Sequence, residues 1–163
     1  SLDVALEAVR RNPDVKLLLA GEGPYHERLV RDAGELGVDG RAVFLGPQPR
    51  RTVFELLRAA DAALLSSSWE NFPHMALESL ALGTPVIATD AGGVTEILRD
   101  EWNGLLVPIR DPEALARAIR RYVDDPDLQE RLRSETVSSV AKFEPEQAYA
   151  QLEGVLSDVA RDP

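Results

Sequence analysis

Two glutamates, Glu70 and Glu78, stand eight positions apart in a segment whose residue types suit sugar and phosphate chemistry. A helix that opens near His74 places Glu70 in the loop before its positive end, while Glu78 projects from its second turn. The unsatisfied N–H groups of His74, Met75 and Ala76 then point at the same cavity and are suited to an anion. A carboxylate with two acceptor oxygens is suited to vicinal hydroxyls. The segment therefore predicts a cavity that binds both phosphate and sugar hydroxyls.

The elements around this segment follow an alternating pattern. Short, near-continuously apolar runs alternate with longer segments of helical period, which predicts parallel strands covered on both faces and joined by crossover helices. The predicted fold class is α/β, a doubly wound Rossmann-like parallel sheet whose ligands bind beyond the carboxyl ends of the strands. The predicted strands are residues 15–20, 42–45, 62–66, 85–89 and 104–107, and the predicted helices are residues 2–11, 24–36, 51–60, 74–82 and 93–99.

The last third of the chain differs from the rest. Asp111-Pro112, Asp125-Pro126 and Glu144-Pro145 each place an acidic residue before a proline that opens a helix. We therefore expect three consecutive C-terminal helices and no further strand. At 163 residues the chain is long enough for one core, and residues 1–163 are predicted to form one domain.

Composition excludes several classes of function. The net charge of -10 disfavours nucleic acid, because binding to a phosphate backbone needs clustered Lys and Arg. The arginines at 117, 120 and 121 share a helix face that is interpreted as solvated. The chain has no cysteine for a disulfide or a thiolate. It also has no apolar run of the roughly 18 residues that a membrane span needs. With no signal-like segment at its start, the expected location is cytoplasmic, and the expected partner is a small molecule or a protein.

Residues 66–89 resemble the signature of the large retaining glycosyltransferase family 4 of the GT-B fold, also called glycosyl transferases group 1. The family's mark is a pair of glutamates separated by seven residues, which Glu70 and Glu78 match. A serine-rich strand end precedes the first glutamate, an aromatic follows it by two residues, and Gly-x-Pro-Val-Ile-Ala-Thr lies behind the second. Further matches lie around residues 17–24, 43–46, 91–96 and 103–107. The resemblance covers nearly the whole chain and identifies it as the C-terminal donor-binding domain.

The resemblance implies a role for each matching residue. Glu78 would hydrogen-bond the ribose hydroxyls of a nucleotide-diphosphate sugar, and Glu70, the candidate catalytic residue, would sit by the transferred sugar. The amides of His74 and Met75 would hold the diphosphate, and the base would rest against the backbone after Gly46. Retaining transfer of a hexosyl group is implied, with no metal and no cofactor. The full set of implied donor-binding residues is Glu78, Asn71, Phe72, Pro73, His74, Met75, Gly21 and Gly46.

One departure from the family pattern concerns its first strand. In the family, that strand and a glycine-arginine loop precede the first helix, and a lysine follows a few residues later. Residues 1–4 already resemble the helix. We therefore expect a fragment of a two-domain enzyme, in which the absent N-terminal domain binds a glycan, lipid or small-molecule acceptor. The fragment is expected to be inactive alone and to bind its donor weakly, without the two cations that neutralise the diphosphate.

Other interpretations of the sequence stay open. A sugar-nucleotide epimerase of the GT-B fold would use the same ribose contact, and a non-catalytic nucleotide-sugar-binding module would keep the site without transfer. A nicotinamide-dinucleotide site is disfavoured, because the third glycine position of the Gly21-Glu22-Gly23 loop is His26. We interpret Gly92-Gly93 as a turn that permits a close backbone approach, and Trp69 and Trp102 as packing anchors rather than sugar platforms.

Overall fold

Two parallel sheets lie at the centre of the fold. The computed structural model describes residues 1–143, so the third C-terminal helix predicted after Glu144-Pro145 lies outside the described residues. One sheet pairs two strands and the other has three strands in the order β3-β4-β5. All of the ladders are parallel, which confirms the α/β class. The strands are β1 (Leu17–Ala20), β2 (Ala42–Gly46), β3 (Ala63–Leu65), β4 (Val86–Thr89) and β5 (Gly104–Val107).

Helices connect the strands and follow the last one. In residues 1–143 every predicted strand and helix is present, with its ends within two residues of the predicted ones. None of the described helices combines the length and the apolarity that crossing a membrane requires. The helices are α1 (Leu2–Arg10), α2 (His26–Glu35), α3 (Arg50–Ala59), α4 (His74–Ala81), α5 (Val94–Ile97), α6 (Pro112–Asp124) and α7 (Pro126–Ser139), and a short 3-10 turn spans Ala141–Phe143.

The acidic residues before the prolines cap the last two described helices. The Asp111 carboxylate accepts the N–H of Ala114 at 2.8 Å at the start of α6. The Asp125 carboxylate accepts the N–H of Leu128 at 2.9 Å at the start of α7. A cap of this kind contributes about 1 kcal/mol to helix stability, and the proline at the first helical position lacks an N–H that would otherwise be unpaired. Two of the three predicted C-terminal helices are thereby confirmed.

The strands form two sheets rather than one, as expected if the family's first strand, which would be central in the sheet, is lost. Within residues 1–143, β1 pairs only with β2 and β3 pairs only with β4, so the inner edge of each strand has no partner among these residues. A cavity of about 1340 Å³ lies between them, lined by α1 and α6 as well as by the strands. β1 consequently alternates between half-buried and exposed positions, and Leu18 is 49% exposed. The prediction that every strand is covered on both faces is therefore wrong for β1, because none of the strands in the described part of the chain lies against its inner edge.

The packing of α4 fixes the segment that contains the two glutamates. Ala76 and Leu80, on its buried face, are fully shielded from solvent and lie in a cluster with Val86 and Val94. Burial of apolar surface stabilises a fold by about 25 cal/mol per Å². The buried contacts of Ala76 and Leu80 therefore hold α4 in its position. The opposite, half-buried face carries Glu78. Burial of Ala76 and Leu80 therefore determines where the carboxylate projects.

The arginine face of α6 is paired with acidic residues. Arg120 contacts Asp14 and Asp124, each at 2.7 Å, and Arg121 contacts Glu101 at 2.6 Å. Pairs as exposed as these contribute little to the stability of a fold. The geometry fits the prediction of a solvated face.

Tyr122 joins α6 to the chain before β3, and its removal has a predictable cost. Its buried ring carries a hydroxyl that donates to the Asp61 carbonyl oxygen at 2.7 Å, and burial raises the pKa of this hydroxyl. We expect Tyr122→Phe to lower the free energy of unfolding by about 1 kcal/mol, measured by urea denaturation, because the hydrogen bond is lost. Tyr25→Phe is the control, since that ring is 65% exposed. Equal stabilities of the two variants would contradict the prediction.

Candidate functional site

The loop between β3 and α4 holds Glu70 at the carboxyl end of the sheet. Ser67 Oγ donates to Glu70 Oε1 at 2.6 Å, and the Glu70 side chain is half-buried. Thr89 Oγ1, at the end of β4, donates to the carbonyl oxygens of Leu65 and Ser67. The neighbouring strand therefore anchors the start of this loop. Glu70 sits where ligands bind in parallel α/β sheets, beyond the strand ends.

A second backbone segment, Gly92-Gly93, packs directly against this loop. The Gly93 N–H donates to the Glu70 carbonyl oxygen at 3.0 Å. A Cβ at Gly93 would lie 1.6 Å from the Asn71 carbonyl oxygen, and one at Gly92 would lie 2.2 Å from that of Glu70. Side chains are therefore excluded from both positions. The predicted close backbone approach is confirmed, and its partner is the peptide that carries Glu70.

The N-terminus of α4 presents two free amides. Pro73 is the N-cap residue, and its carbonyl oxygen accepts the N–H groups of Ala76 at 3.0 Å and Leu77 at 3.3 Å. Within residues 1–143, the N–H groups of His74 and Met75 have no hydrogen-bond partner. The prediction that Ala76 also offers its amide is wrong, because the cap satisfies it. His74 and Met75 are thus suited to an anion.

Aromatic packing supports the segment just before α4. The Phe72 ring is half-buried and meets the rings of His74 and Phe143 edge to face, with centroids 5.8 and 5.5 Å away. Asn71 is exposed beside it, while Pro73 is buried. Phe72 therefore holds the loop in place by packing. Of the predicted site residues on this segment, Asn71 and His74 face solvent.

Glu78 is joined to α3 by an ion pair that sequence reasoning missed. Arg50 Nη2 donates to Glu78 Oε1 at 2.8 Å. The Arg50 guanidinium also lies over the Phe54 ring, 5.0 Å from its centroid. The sequence prediction placed Arg50 just outside the helix that it begins, and 28 residues separate it from Glu78. The only signal of this ion pair in the sequence was the position of Arg50 directly after the loop that follows β2.

Gly21 and Gly46 bring the exits of β1 and β2 together. The Gly21 N–H donates to the Gly46 carbonyl oxygen at 2.8 Å, and Gly46 has a φ of +65° that disfavours other residues. Gln48 Nε2 donates to the Leu45 carbonyl oxygen at 2.7 Å and closes the loop. The chain then turns into α3 at Arg50. The backbone after Gly46, which is predicted to contact the base, thus leads directly to Arg50, the partner of Glu78.

The predicted site residues form two groups. Gly21, Gly46 and Glu78 are connected through the β2 exit and Arg50, whereas the residues from Glu70 to Met75 are anchored by β4 and the loop after it. Gly21 and Met75 also line the cavity between the sheets, and neither Glu70 nor Glu78 does. Within residues 1–143 no cluster of three or more His, Asp or Glu side chains is placed to hold a metal ion.

The two tryptophans, Trp69 and Trp102, have exposed side chains. Trp69, the residue before Glu70, is 76% exposed, so the prediction that it anchors packing is wrong. The loop is anchored instead through its backbone by Thr89 and Gly93, which leaves the indole free of the core. Trp102 is also exposed, with the Arg99 guanidinium 5.3 Å above its ring.

The fold and the site residues define a Rossmann-like domain with paired carboxylates and free helix amides at the carboxyl ends of its strands. The sequence model of the family described as Glycosyl transferases group 1 matches residues 1–138. The chain belongs to this family. The structural neighbours are glycosyltransferases of the GT-B fold, which agrees with the observed parallel sheets.

Several relatives show how far the similarity extends. The chain is 44% identical over 127 residues to the lipopolysaccharide core biosynthesis glycosyltransferase LpsE of Rhizobium meliloti, covering 78% of this chain and 37% of that protein. It is 40% identical over 123 residues to the D-inositol 3-phosphate glycosyltransferase of Mycolicibacterium gilvum, covering 72% of this chain and 28% of that protein. The chain thus spans well under half the length of these relatives.

In two similar solved structures, this chain also matches less than half of the longer chain. Anabaena Alr3699/HepE in complex with UDP superimposes with a TM-score of 0.87 at 25% identity, covering 95% of this chain and 44% of that one. Sucrose-phosphate synthase from Thermosynechococcus elongatus superimposes with a TM-score of 0.82 at 30% identity, covering 97% of this chain and 41% of that one. Nearly all of this chain therefore corresponds to one part of a longer enzyme in each case.

Gly93 tests the backbone contact that holds the Glu70 loop. We expect Gly93→Ala to lower the free energy of unfolding by about 1 to 3 kcal/mol, because the added methyl overlaps the Asn71 carbonyl. Gly34→Ala is the matched control, since that helical position is open and alanine is favoured there by about 0.5 to 1 kcal/mol. Urea denaturation measures both variants. A Gly93→Ala protein as stable as the parent would contradict the contact.

Proposed function

We propose that this chain is the donor-binding part of a retaining hexosyltransferase and binds a nucleotide-diphosphate sugar. The observation that carries the proposal is the pair of carboxylates, Glu70 and Glu78, around an α4 N-terminus that keeps two amides free. Solved complexes of the similar Anabaena Alr3699/HepE with UDP and with UDP-glucose support a ligand of this class. Amides suit the diphosphate, and carboxylates suit the hydroxyls on either side of it.

Each group then has one role at the donor. The Glu78 carboxylate accepts hydrogen bonds from the ribose hydroxyls, and the His74 and Met75 amides donate to the diphosphate. The base lies against the backbone that follows Gly46, whose exit is already joined to Glu78 through Arg50. Glu70, held by the Ser67 hydroxyl, lies beside the transferred sugar. Gly21, Asn71, Phe72 and Pro73 shape the surrounding backbone.

In the proposed reaction, the bond between the anomeric carbon of the sugar and the diphosphate oxygen breaks. The acceptor hydroxyl oxygen forms the new bond to that carbon on the face from which the diphosphate leaves, so the configuration is retained. The acceptor proton passes to the leaving phosphate. A glycoside and a nucleoside diphosphate result, without a metal or a cofactor. Glu70 stabilises the positive charge that develops on the sugar ring.

Charge limits how tightly this chain alone binds the donor. A diphosphate beside Glu70, in a chain of net charge -10, meets repulsion that helix amides offset only in part. A hydrogen bond to a charged group contributes roughly 1.5 to 3 kcal/mol, and association costs consume most of it. We infer a dissociation constant on the order of millimolar for the isolated domain. The acceptor, whether a glycan, a lipid or a small molecule, is bound by the rest of the longer protein.

The division of the sheet supports the same domain organisation. β1 and β3 face each other across an apolar cavity with both inner edges open, and open edges are sites of strand addition. The relative LpsE and the solved neighbour Alr3699/HepE are each more than twice as long as this chain. We infer that a parallel strand supplied by the longer protein occupies the gap.

Hydrogen exchange tests the strand. The Leu17 and Gly21 amides donate toward β2, so the Leu18 and Ala20 amides between them point into the gap. The Ala63 amide donates to Pro85, so that of Leu64 points into the gap as well. We expect the Leu18, Ala20 and Leu64 amides to exchange more slowly in the longer protein than in this chain, by about tenfold or more. The amides of Leu17 and Ala63 are internal controls, and equal exchange at all positions would contradict the strand.

Two glutamate variants of the full-length protein test the proposed function. We expect Glu78→Ala to raise the dissociation constant of the nucleoside diphosphate about tenfold, because the ribose hydroxyls lose their acceptor. We expect Glu70→Gln to lower kcat at least 100-fold without weakening that affinity, because the substitution removes a charge that repels the diphosphate. Calorimetry measures affinity, and product analysis measures transfer.

Glu55→Ala is the control for these variants, because its exposed side chain pairs with Arg51. Unchanged affinity in Glu78→Ala would remove the main support for the donor site. Formation of an altered nucleotide sugar, without a glycoside, would indicate an epimerase of the same fold. Binding without any turnover, with every candidate acceptor, would indicate a binding module.

A further inference from the structure

The environment of Glu78 contains a cation that the proposed function does not yet use. Arg50 is the first residue of α3, and its Nη2 donates to Glu78 Oε1 at 2.8 Å. In residues 1–143, Glu78 forms no other ion pair. Glu70, by contrast, receives a neutral hydroxyl from Ser67. One of the two site carboxylates is therefore in an ion pair with an arginine, whereas the other accepts a hydrogen bond from a neutral hydroxyl.

The Arg50 side chain is fixed from two directions although it is 78% exposed. Its guanidinium lies over the Phe54 ring, one helical turn along α3, at 5.0 Å from the centroid. This contact restricts a side chain that is otherwise flexible. The loop before Arg50 is itself closed by the bond from Gln48 to the Leu45 carbonyl. The carboxylate of Glu78 thus has a partner whose position is set by α3.

The geometry of this pair leaves Glu78 able to bind a diol. One N–H of Arg50 occupies one lone pair of Oε1, whereas an ionised carboxylate has about four acceptor positions. Two ribose hydroxyls require two of the remaining positions. A carboxylate that is held by a cation on one side therefore still accepts the diol on the other. The ion pair and the ribose contact are compatible, and the first orients the group that makes the second.

We propose that Arg50 is a positioning residue of the donor site, which holds the Glu78 carboxylate toward the ribose hydroxyls and neutralises its charge beside the diphosphate. This inference rests on the proposed function, because it requires Glu78 to contact ribose. It adds a specificity device to that function. The discrimination between ribose and 2′-deoxyribose depends on how firmly the Glu78 carboxylate is held, and hence on Arg50.

Arg51 offers a matched control on the same helix. It pairs with Glu55 at 2.9 Å, is 90% exposed, and has no contact with the site glutamates. Arg50→Gln and Arg51→Gln each remove one positive charge from adjacent positions. Any general effect of net charge on an anionic ligand is therefore common to the two variants. A difference between them reports the contact with Glu78.

The test uses the full-length protein and calorimetry at low salt. UDP, GDP and ADP identify the base, and the preferred diphosphate is then compared with its 2′-deoxy analogue. We expect Arg50→Gln to raise the dissociation constant of the ribonucleotide about fivefold and to reduce the preference for it over the deoxy analogue. Arg51→Gln should leave both values unchanged, and Arg50→Lys should restore part of the preference, since an ammonium keeps the charge without the planar fork.

Three results would overturn the inference in distinguishable ways. A parent protein that binds none of the three diphosphates refutes the proposed function together with this inference. A parent that prefers the ribonucleotide, with Arg50→Gln equal to Arg51→Gln, refutes only the role of Arg50. Tighter binding by Arg50→Gln also refutes it, because Arg50 would then compete with the ribose for Glu78.

Discussion

The contact of Gly92-Gly93 with the backbone at Glu70 and Asn71 is the constraint on which the site depends. Two chain segments approach so closely that neither glycine position has room for a Cβ. The hydrogen bond from Gly93 to the Glu70 carbonyl fixes the loop after β3 to the loop after β4. This contact therefore fixes the positions of the Glu70 carboxylate and of the start of α4. A rigid backbone is what allows an exposed loop to hold a charged group at a defined place.

The two sheets add a second constraint on the same region. Strands β3, β4 and β5 are paired and largely buried, and they support α4 through Ala76 and Leu80. Among the strands that the structure describes, β1 has only β2 as a partner, and Leu18 is half exposed. The Glu70 half of the site therefore rests on the better-packed sheet. The half formed by Gly21 and Gly46 rests on a two-stranded sheet, which is only marginally stable by itself.

Local signals made much of this structure predictable, and non-local contacts account for the rest. Asp111 and Asp125 cap helices through neighbours three residues away, so the sequence alone locates those helix starts. The exposure of Leu18 depends on a neighbouring strand that residues 1–143 do not supply, which the resemblance to the family predicted although the apolar pattern of β1 alone does not reveal it. The pair of Arg50 and Glu78 joins residues 28 positions apart. No periodicity or motif specifies such a contact, because tertiary packing creates it.

The electrostatics of the site follow from these positions. Two carboxylates would repel a diphosphate, and the repulsion grows where low-dielectric walls reduce screening. The free amides of His74 and Met75 oppose it through fixed dipoles that need no reorganisation. In the proposed complex, the Arg50 guanidinium opposes it through its ion pair with Glu78, whereas Glu70 accepts a hydrogen bond from the neutral Ser67 hydroxyl. A single negative group beside the sugar is the arrangement that favours a developing positive charge there over the neutral ground state. Under the proposed function, this difference between the two glutamates agrees with a binding role for Glu78 and a chemical role for Glu70.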